Sequence, residues 1–479
     1  MRSDARLARV ALRDTIAPLR GPAAALGLAA AVGAIAAVSP PLGIGVGLGG
    51  AAAFAILRTG VPSMFHMFLA VLLVGYAFFG RSFAYLGVAP VYVGEIALGL
   101  GLLTLLRLWT RFRPRLLEWL LIAFMVLGAL DTVPYIARDG IDAFRDAVLW
   151  GYGVFALALF CSIRAEHFPA IVSIYRRLVP LFLLWVPLAA LLTLQLESVP
   201  SVPGSDVPIL IFKGGDIGTH LGGIAAFLVV GLFSGGPLFA QVAPIALLPL
   251  WLTALALVGL ANRGGLLAAS IAWLCALVLR PTRRWVLALI TAVGLVSAVV
   301  ALAPATPTPF RRETSASEIL SSIFFESPSL EGTKYFRLQW WGDIIGYTFV
   351  GPYFWTGKGF GVNLADDDGF QVTIDHSLRA PHNSHLSVLA RTGVPGFVLW
   401  IVLQAAFAAS LVRAHYRSRN AGALFWSHLD VWLLGYWLAM VVNTSFDPYL
   451  EGPQGGIWFW SVFGLGLAAL RAQREDRAT

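Results

Sequence analysis

Apolar runs of about 20 residues, each close to the length that crosses a bilayer, recur from residue 22 to residue 471. No other feature limits the possible folds as strongly. Of the 479 residues 58% are apolar and 13% charged, so a soluble protein of this length would lack the polar surface to cover itself. Backbone inside a bilayer must satisfy its own hydrogen bonds, and long apolar runs do so as helices. The chain therefore reads as an all-α polytopic membrane protein. Hydropathy predicts helices at 22–39, 41–58, 62–80, 88–107, 116–135, 144–163, 177–195, 217–235, 241–261, 263–280, 285–304, 386–412, 425–444 and 456–471. The resulting organisation is a cytoplasmic amphipathic arm (1–21), eleven helices within 22–304, a large extracytoplasmic loop (305–384), three helices within 385–471 and a cytoplasmic tail (472–479).

Charge placement orients these helices. With the N-terminus inside, the cytoplasmic loops and the two termini hold 22 of the 34 Lys and Arg residues, including "RLWTRFRPR" (107–115), "RPTRR" (280–284) and "RAHYRSR" (413–419). The net charge of +8 is thus a membrane-topology signal. No basic stripe interleaves with aromatics on a soluble module, so nucleic acid is not an expected partner. Cys161 and Cys275 sit in or beside apolar runs without metal or redox spacing. The other twelve cations, among them all three lysines, fall on the outer face. Arg138, Arg145 and Arg312 have a carboxylate next in sequence. Lys213, Arg263, Lys334, Arg337, Arg379 and Arg391 have none, which makes them candidates for an anionic ligand.

Several outer segments carry chemistry. Arg263 in "ANRGG" opens a predicted helix, where free N–H groups and a guanidinium favour an anion; a snorkelling interfacial arginine is the plainer alternative. In "KGGDIGTHLGG", Lys213, Asp216 and His220 recur at helical spacing, as a polar cluster or as a self-satisfied structural network. Within the long loop, "SASEILSSIFF" (315–325) reads as a surface helix, and "KYFRLQWWGDIIGY" places Lys334, Arg337 and Trp341 on one helical face. "FWTGKGFGVN" has turn glycines but neither Walker nor dinucleotide spacing. In "LADDDG", Asp366 and Asp368 offer oxygen ligands for Mg²⁺, although three aspartates before a glycine more often form a solvated turn. "RAPHNSHLSVLARTGVPGFVLW" sets Arg379, His382, Asn383, His385 and Arg391 at the mouth of an apolar helix. A histidine there can take a proton from an attacking hydroxyl.

"NRGG" (262–265), "FRLQWW" (336–341), "GKGFG" (357–361) and "PHNSHLSVLARTGVPG" (381–396), in this order around one outer loop, resemble the bacterial O-antigen ligases and the related O-antigen and capsule polymerases. The resemblance spans roughly 210–470. It implies a membrane glycosyltransferase of GT-C-like architecture in the bacterial inner membrane, with its site on the periplasmic face. Transfer would be inverting, from a glycan on a polyprenyl (undecaprenyl) diphosphate to the hydroxyl of a glycan or glycolipid acceptor, without metal or cofactor. Carried over residue by residue, His382 would be the general base and Arg263 and Arg337 would hold the diphosphate. Lys213, His220, Lys334, Arg379, Asn383, His385 and Arg391 would support them. Where the family usually carries a tyrosine or similar residue, three after the histidine, this chain has His385, so either histidine is a candidate base. Ligase and polymerase differ only in acceptor; the motifs do not separate them, and the ligase reading is slightly preferred. A lipid-linked-glycan transporter would show repeated halves and midplane binding residues, and no internal repeat is visible here.

Overall fold

A computed structural model describes residues 60–88, 91–195, 199–203, 205, 207–234, 244–283, 285–286 and 331–476. The arm 1–21, the predicted helices 22–39 and 41–58, nearly all of 285–304 and the surface helix 315–325 lie outside the described residues. The described chain is helical almost throughout. Its helices are α1 (Val61–Phe79), α2 (Val93–Arg107), α3 (Leu116–Asp139), α4 (Ile141–Gly151), α5 (Gly153–Ser162), α6 (Phe168–Gln195), α7 (Gly214–Val229), α8 (Leu248–Ala261), α9 (Arg263–Leu279), α10 (Glu331–Phe349), α11 (Ser384–Asn420), α12 (Leu424–Thr444) and α13 (Pro453–Glu475). Seven spans among the described residues are long and apolar enough to cross a membrane, and the bent pair α4–α5 makes an eighth if it is one span.

Three predicted helices change shape. The one predicted from residue 88 begins at Val93, because Gly87–Val88 pairs antiparallel with Val91–Tyr92. The β-branched Val88 and Val91 favour this extended backbone. The helix predicted at 144–163 breaks into α4 and α5 with a bend of 43°, where Gly151 and Gly153 flank Tyr152 and weaken helix. The helix predicted at 177–195 starts earlier, at Phe168.

Small residues let α7, α9 and α12 pack backbone to backbone, the usual way helices approach closely in a membrane. A β-carbon at Gly218 would lie 2.4 Å from the Gly265 carbonyl oxygen, and one at Gly222 would lie 2.7 Å from Ala439 Cβ. Ala268, Ala272 and Ala439 are fully buried in the same seam. This packing brings the N-termini of α7 and α9 against the C-terminus of α12.

The helix α11 is interrupted at Gly393, whose φ of 66° and ψ of −170° are non-helical, two residues before Pro395. Pro395 has no N–H for the Arg391 carbonyl, and the "GKGFG" loop replaces it: Gly359 N–H donates to Arg391 O at 3.0 Å. Lys358 N–H donates to Ala390 O at 2.7 Å, and Val394 N–H donates to Phe354 O at 2.8 Å. Three backbone groups at the break are thus bonded to the 354–359 segment, as buried backbone requires. Helix α10 lies over this region, with Trp340 and Ile344 buried against Leu364, Phe370 and Leu389.

Candidate active site

Asn383 caps α11 by accepting the N–H groups of His385 (3.1 Å) and Leu386 (3.2 Å). The residue before it, His382, has a φ of 55°. A left-handed histidine costs of order 1 kcal/mol and persists only where its surroundings hold it. Both flanks are held. Trp341 Nε1–H of α10 donates to Pro381 O at 2.8 Å, and Ser384 Oγ donates to Asp447 O at 3.3 Å.

Asp447, just beyond α12, is the hub of the site. Its carboxylate pairs with Lys213 at 2.8 Å, and Lys213 also reaches Asp216 at 3.1 Å. Arg337 donates to the carbonyl of neighbouring Phe446 at 3.5 Å. Gly264, one residue into α9 from Arg263, packs on Phe446, with 3.0 Å from an ideal β-carbon to Phe446 Cβ. The N-termini of α7, α9 and α11 thus border one segment, 443–447, and their free N–H ends add positive potential. Burial holds His382 below its ordinary value of 6.5; Arg337 and Lys213 lower it further and Asp447 opposes them. For Lys213 burial acts downward, but the Asp216 and Asp447 carboxylates outweigh it and hold the ammonium above its usual range.

The two histidines have different surroundings. His385 Nδ1 accepts from Trp400 Nε1–H at 3.0 Å, so its proton sits on Nε2, which donates to Val441 O at 3.1 Å. Both nitrogens are engaged inside the bundle, and the ring is a packing element. His382 remains as the histidine bordering the charged groups.

Four sequence expectations need correction. Lys213, Arg379 and Arg391 are not unpaired. Beside the Lys213 pairs already described, Arg379 binds Asp142 (3.3 Å) and Asp146 (3.0 Å), and Arg391 binds Asp146 at 3.0 Å. Arg391 is 1% exposed and also donates to the carbonyls of Gly359 and Val362, each at 3.2 Å. These arginines clamp "GKGFG" to α4 and α11. The second correction is Arg145, whose partner is Asp142 at 3.8 Å, not its neighbour Asp146. The third is His220, which turns from Lys213 to bond Tyr436 OH at 2.6 Å among Phe182 and Trp458. The fourth is the aspartate run. Asp366 bonds His376 at 2.7 Å, while Asp367 and Asp368 pair with buried Lys358 and Asp368 also accepts from Trp340 Nε1–H at 2.6 Å. The two candidate Mg²⁺ ligands face different partners, and no group of three His, Cys, Asp or Glu forms a metal shell among the described residues. The side chain of Lys334 lies outside the described residues.

Residues 248–401 match the family model described as O-antigen ligase. Over these residues the chain carries an O-antigen ligase domain. It is a membrane enzyme of glycosyltransferase type. Arg263, Arg337 and His382 all fall inside the matched residues, whereas Lys213 and Asp447 fall outside. No curated protein matches the chain. Among solved structures, a chain from a peptidoglycan synthase complex is similar with a TM-score of 0.40 and 18% identity, covering 74% of this chain and 96% of that one.

Proposed function

We propose that this O-antigen ligase-family enzyme moves a glycan from a polyprenyl diphosphate carrier onto the hydroxyl of a glycan or glycolipid acceptor, at the end of the bundle that carries His382. The carrying observation is the placement of one histidine, held in a strained backbone conformation, beside Arg337, Lys213 and three helix N-termini. In this reading the acceptor hydroxyl gives its proton to His382 as its oxygen attacks the anomeric carbon. The bond from that carbon to the carrier diphosphate breaks, and the electron pair leaves on the diphosphate, with inversion. Arg337 and Arg263 meet the charge that develops there through planar forks of donors, worth more in a site shielded from water. Lys213, already shared by two carboxylates, tunes the potential and leaves the leaving group to the arginines. The outer-face, inner-membrane placement belongs to the same proposal.

A base must be neutral to accept a proton, so activity should fall as pH drops through the pKa of His382. The acid limb of kcat/KM is expected below 6.5, the ordinary histidine value. Arg337→Gln removes a group that lowers His382, so the limb should move to higher pH. Asp447→Asn removes the group that raises it, so the limb should move lower. Shifts in the same direction for both variants would show that the limb belongs to another residue. The measurement is a pH profile of transfer from a carrier-linked glycan to an added acceptor by purified enzyme in nanodiscs.

If arginines alone neutralise the leaving group, turnover should survive EDTA. Asp366→Asn should also stay active, since Asp366 faces His376 and Gln371. Loss of turnover on chelation, restored by Mg²⁺, would overturn the metal-free mechanism.

A further inference from the structure

At the end of α11 remote from His382, the last turns of α11 and α13 and the first turn of α3 border an open cavity of about 200 Å³. Arg115, Arg413, Arg417 and Arg474 line it, and Glu118 is the one carboxylate among the lining residues. Glu118 is buried, and its Oε2 already accepts the Arg115 backbone N–H at 2.7 Å as the cap of α3. Arg413 Nε–H donates to Ala409 O in its own helix. The guanidinium groups of Arg115, Arg417 and Arg474 make no hydrogen bond or ion pair among the described residues; Arg474 feels the Glu118 carboxylate most strongly among its charged neighbours, then positive charge from Arg115 and Arg471, with Glu475 opposing them. Arg471 itself is engaged by Glu475 at 3.5 Å.

Helix C-termini attract cations, which accounts for Arg417 and Arg474 taken singly. It does not account for their convergence with Arg115 at a helix N-terminus, where the partial charge is positive and adds to the repulsion. Arg115, Arg413 and Arg417 are exposed and Arg474 is half-buried, so four guanidinium groups face one already occupied carboxylate at an accessible cleft, where an incoming anion can reach them. The rim indicates the kind of anion. Leu116 is 74% exposed, and Trp119 and Trp109 are 56% and 59% exposed close by in sequence, an apolar and aromatic edge of the sort that sits at lipid headgroup level.

We propose that this cavity binds the phosphate headgroup of an anionic membrane phospholipid. The shared chemistry is a phosphoryl anion held by guanidinium forks; the exposed leucine and tryptophans favour a lipid over a soluble phosphate.

The test uses the full chain in micelles containing equal phosphatidylglycerol and phosphatidylcholine, read by native mass spectrometry. Wild type should retain phosphatidylglycerol preferentially. R413Q/R417Q/R474Q should bind it about 100-fold more weakly, from ~1 kcal/mol per basic residue near a lipid surface. R107Q/R111Q/R419Q removes the same number of charges from the same end outside the cavity and should retain the lipid. Equal retention by the two triple variants would overturn the site. A mutation-free arm compares the unfolding temperature of wild type in nanodiscs with and without phosphatidylglycerol. A rise that shrinks at high salt is expected, and no difference would count against the proposal. Inorganic pyrophosphate supplies the last arm. Should it displace the lipid at micromolar concentration and bind equally well without it, the ligand is a soluble phosphate and the lipid assignment fails.

Discussion

Replacing His382 by alanine is expected to cut turnover ~10²–10⁴-fold, the usual contribution of a general base, with donor binding nearly unchanged. The expectation separates proton transfer from anion binding. His382 is held below its ordinary pKa by burial and by Arg337 and Lys213, so it is neutral at working pH and adds no charge for the diphosphate. Alanine accepts the left-handed backbone less readily than histidine, so a small stability loss accompanies the change and turnover is compared per folded molecule. His385→Phe is the control. It strips a partner from Trp400 Nε1–H and from Val441 O, which predicts a stability loss of about 1–3 kcal/mol but most of the turnover per folded molecule. Donor affinity and turnover measured together for both variants decide the matter. If His385→Phe abolishes turnover in folded protein while His382→Ala spares it, the base is the wrong histidine.

What the sequence disclosed of this site was its short-range part. A histidine followed by an asparagine before an apolar run signals a capped helix with the histidine just outside it, and Asn383 forms that cap. Arg337 and Trp341 are four apart, one helical turn, and both face the His382 region. The long-range part was hidden because adjacency in sequence is a poor guide to charge pairing. Arg379 and Asp146 are 233 residues apart, yet they bond at 3.0 Å because α4 meets the loop beneath α10. Lys213 and Asp447 meet only because glycines and alanines let α7, α9 and α12 approach so closely. Asp447 was the residue overlooked. Its signal lay in "NTSFDPYLEG", a turn between the last two predicted helices and on the same face as Lys213. Placing the outer-face carboxylates beside the outer-face cations would have exposed it. The break in α11 was also readable in part, since "TGVPG" carries the glycine and the proline. That "GKGFG" would restore its hydrogen bonds depended on tertiary packing.

Arg391→Met should remove folded protein, not donor affinity. Sequence placed Arg391 among the cations available to a ligand; the structure buries it with Asp146 and two loop carbonyls as partners. Methionine fills much of the volume but leaves the Asp146 carboxylate with one arginine fewer, and the carbonyls of Gly359 and Val362 without their donor. Removing one member of a buried ion pair typically costs about 3–5 kcal/mol, much of a membrane domain's margin. The expected result is a sharp fall in monodisperse protein on fluorescence-detected size exclusion and a lower unfolding temperature. The surviving folded fraction should keep nearly normal donor affinity. A cycle with Asp146→Asn tests the cause. Because Asp146 also accepts from Arg379 and from Gly361 N–H, the single Asp146→Asn change should itself destabilise. The double variant should then cost less than the two single losses added together, since neither partner is left charged against nothing. Full stability of Arg391→Met combined with a tenfold loss of donor affinity would reverse the assignment, and the arginine would belong to the diphosphate site after all.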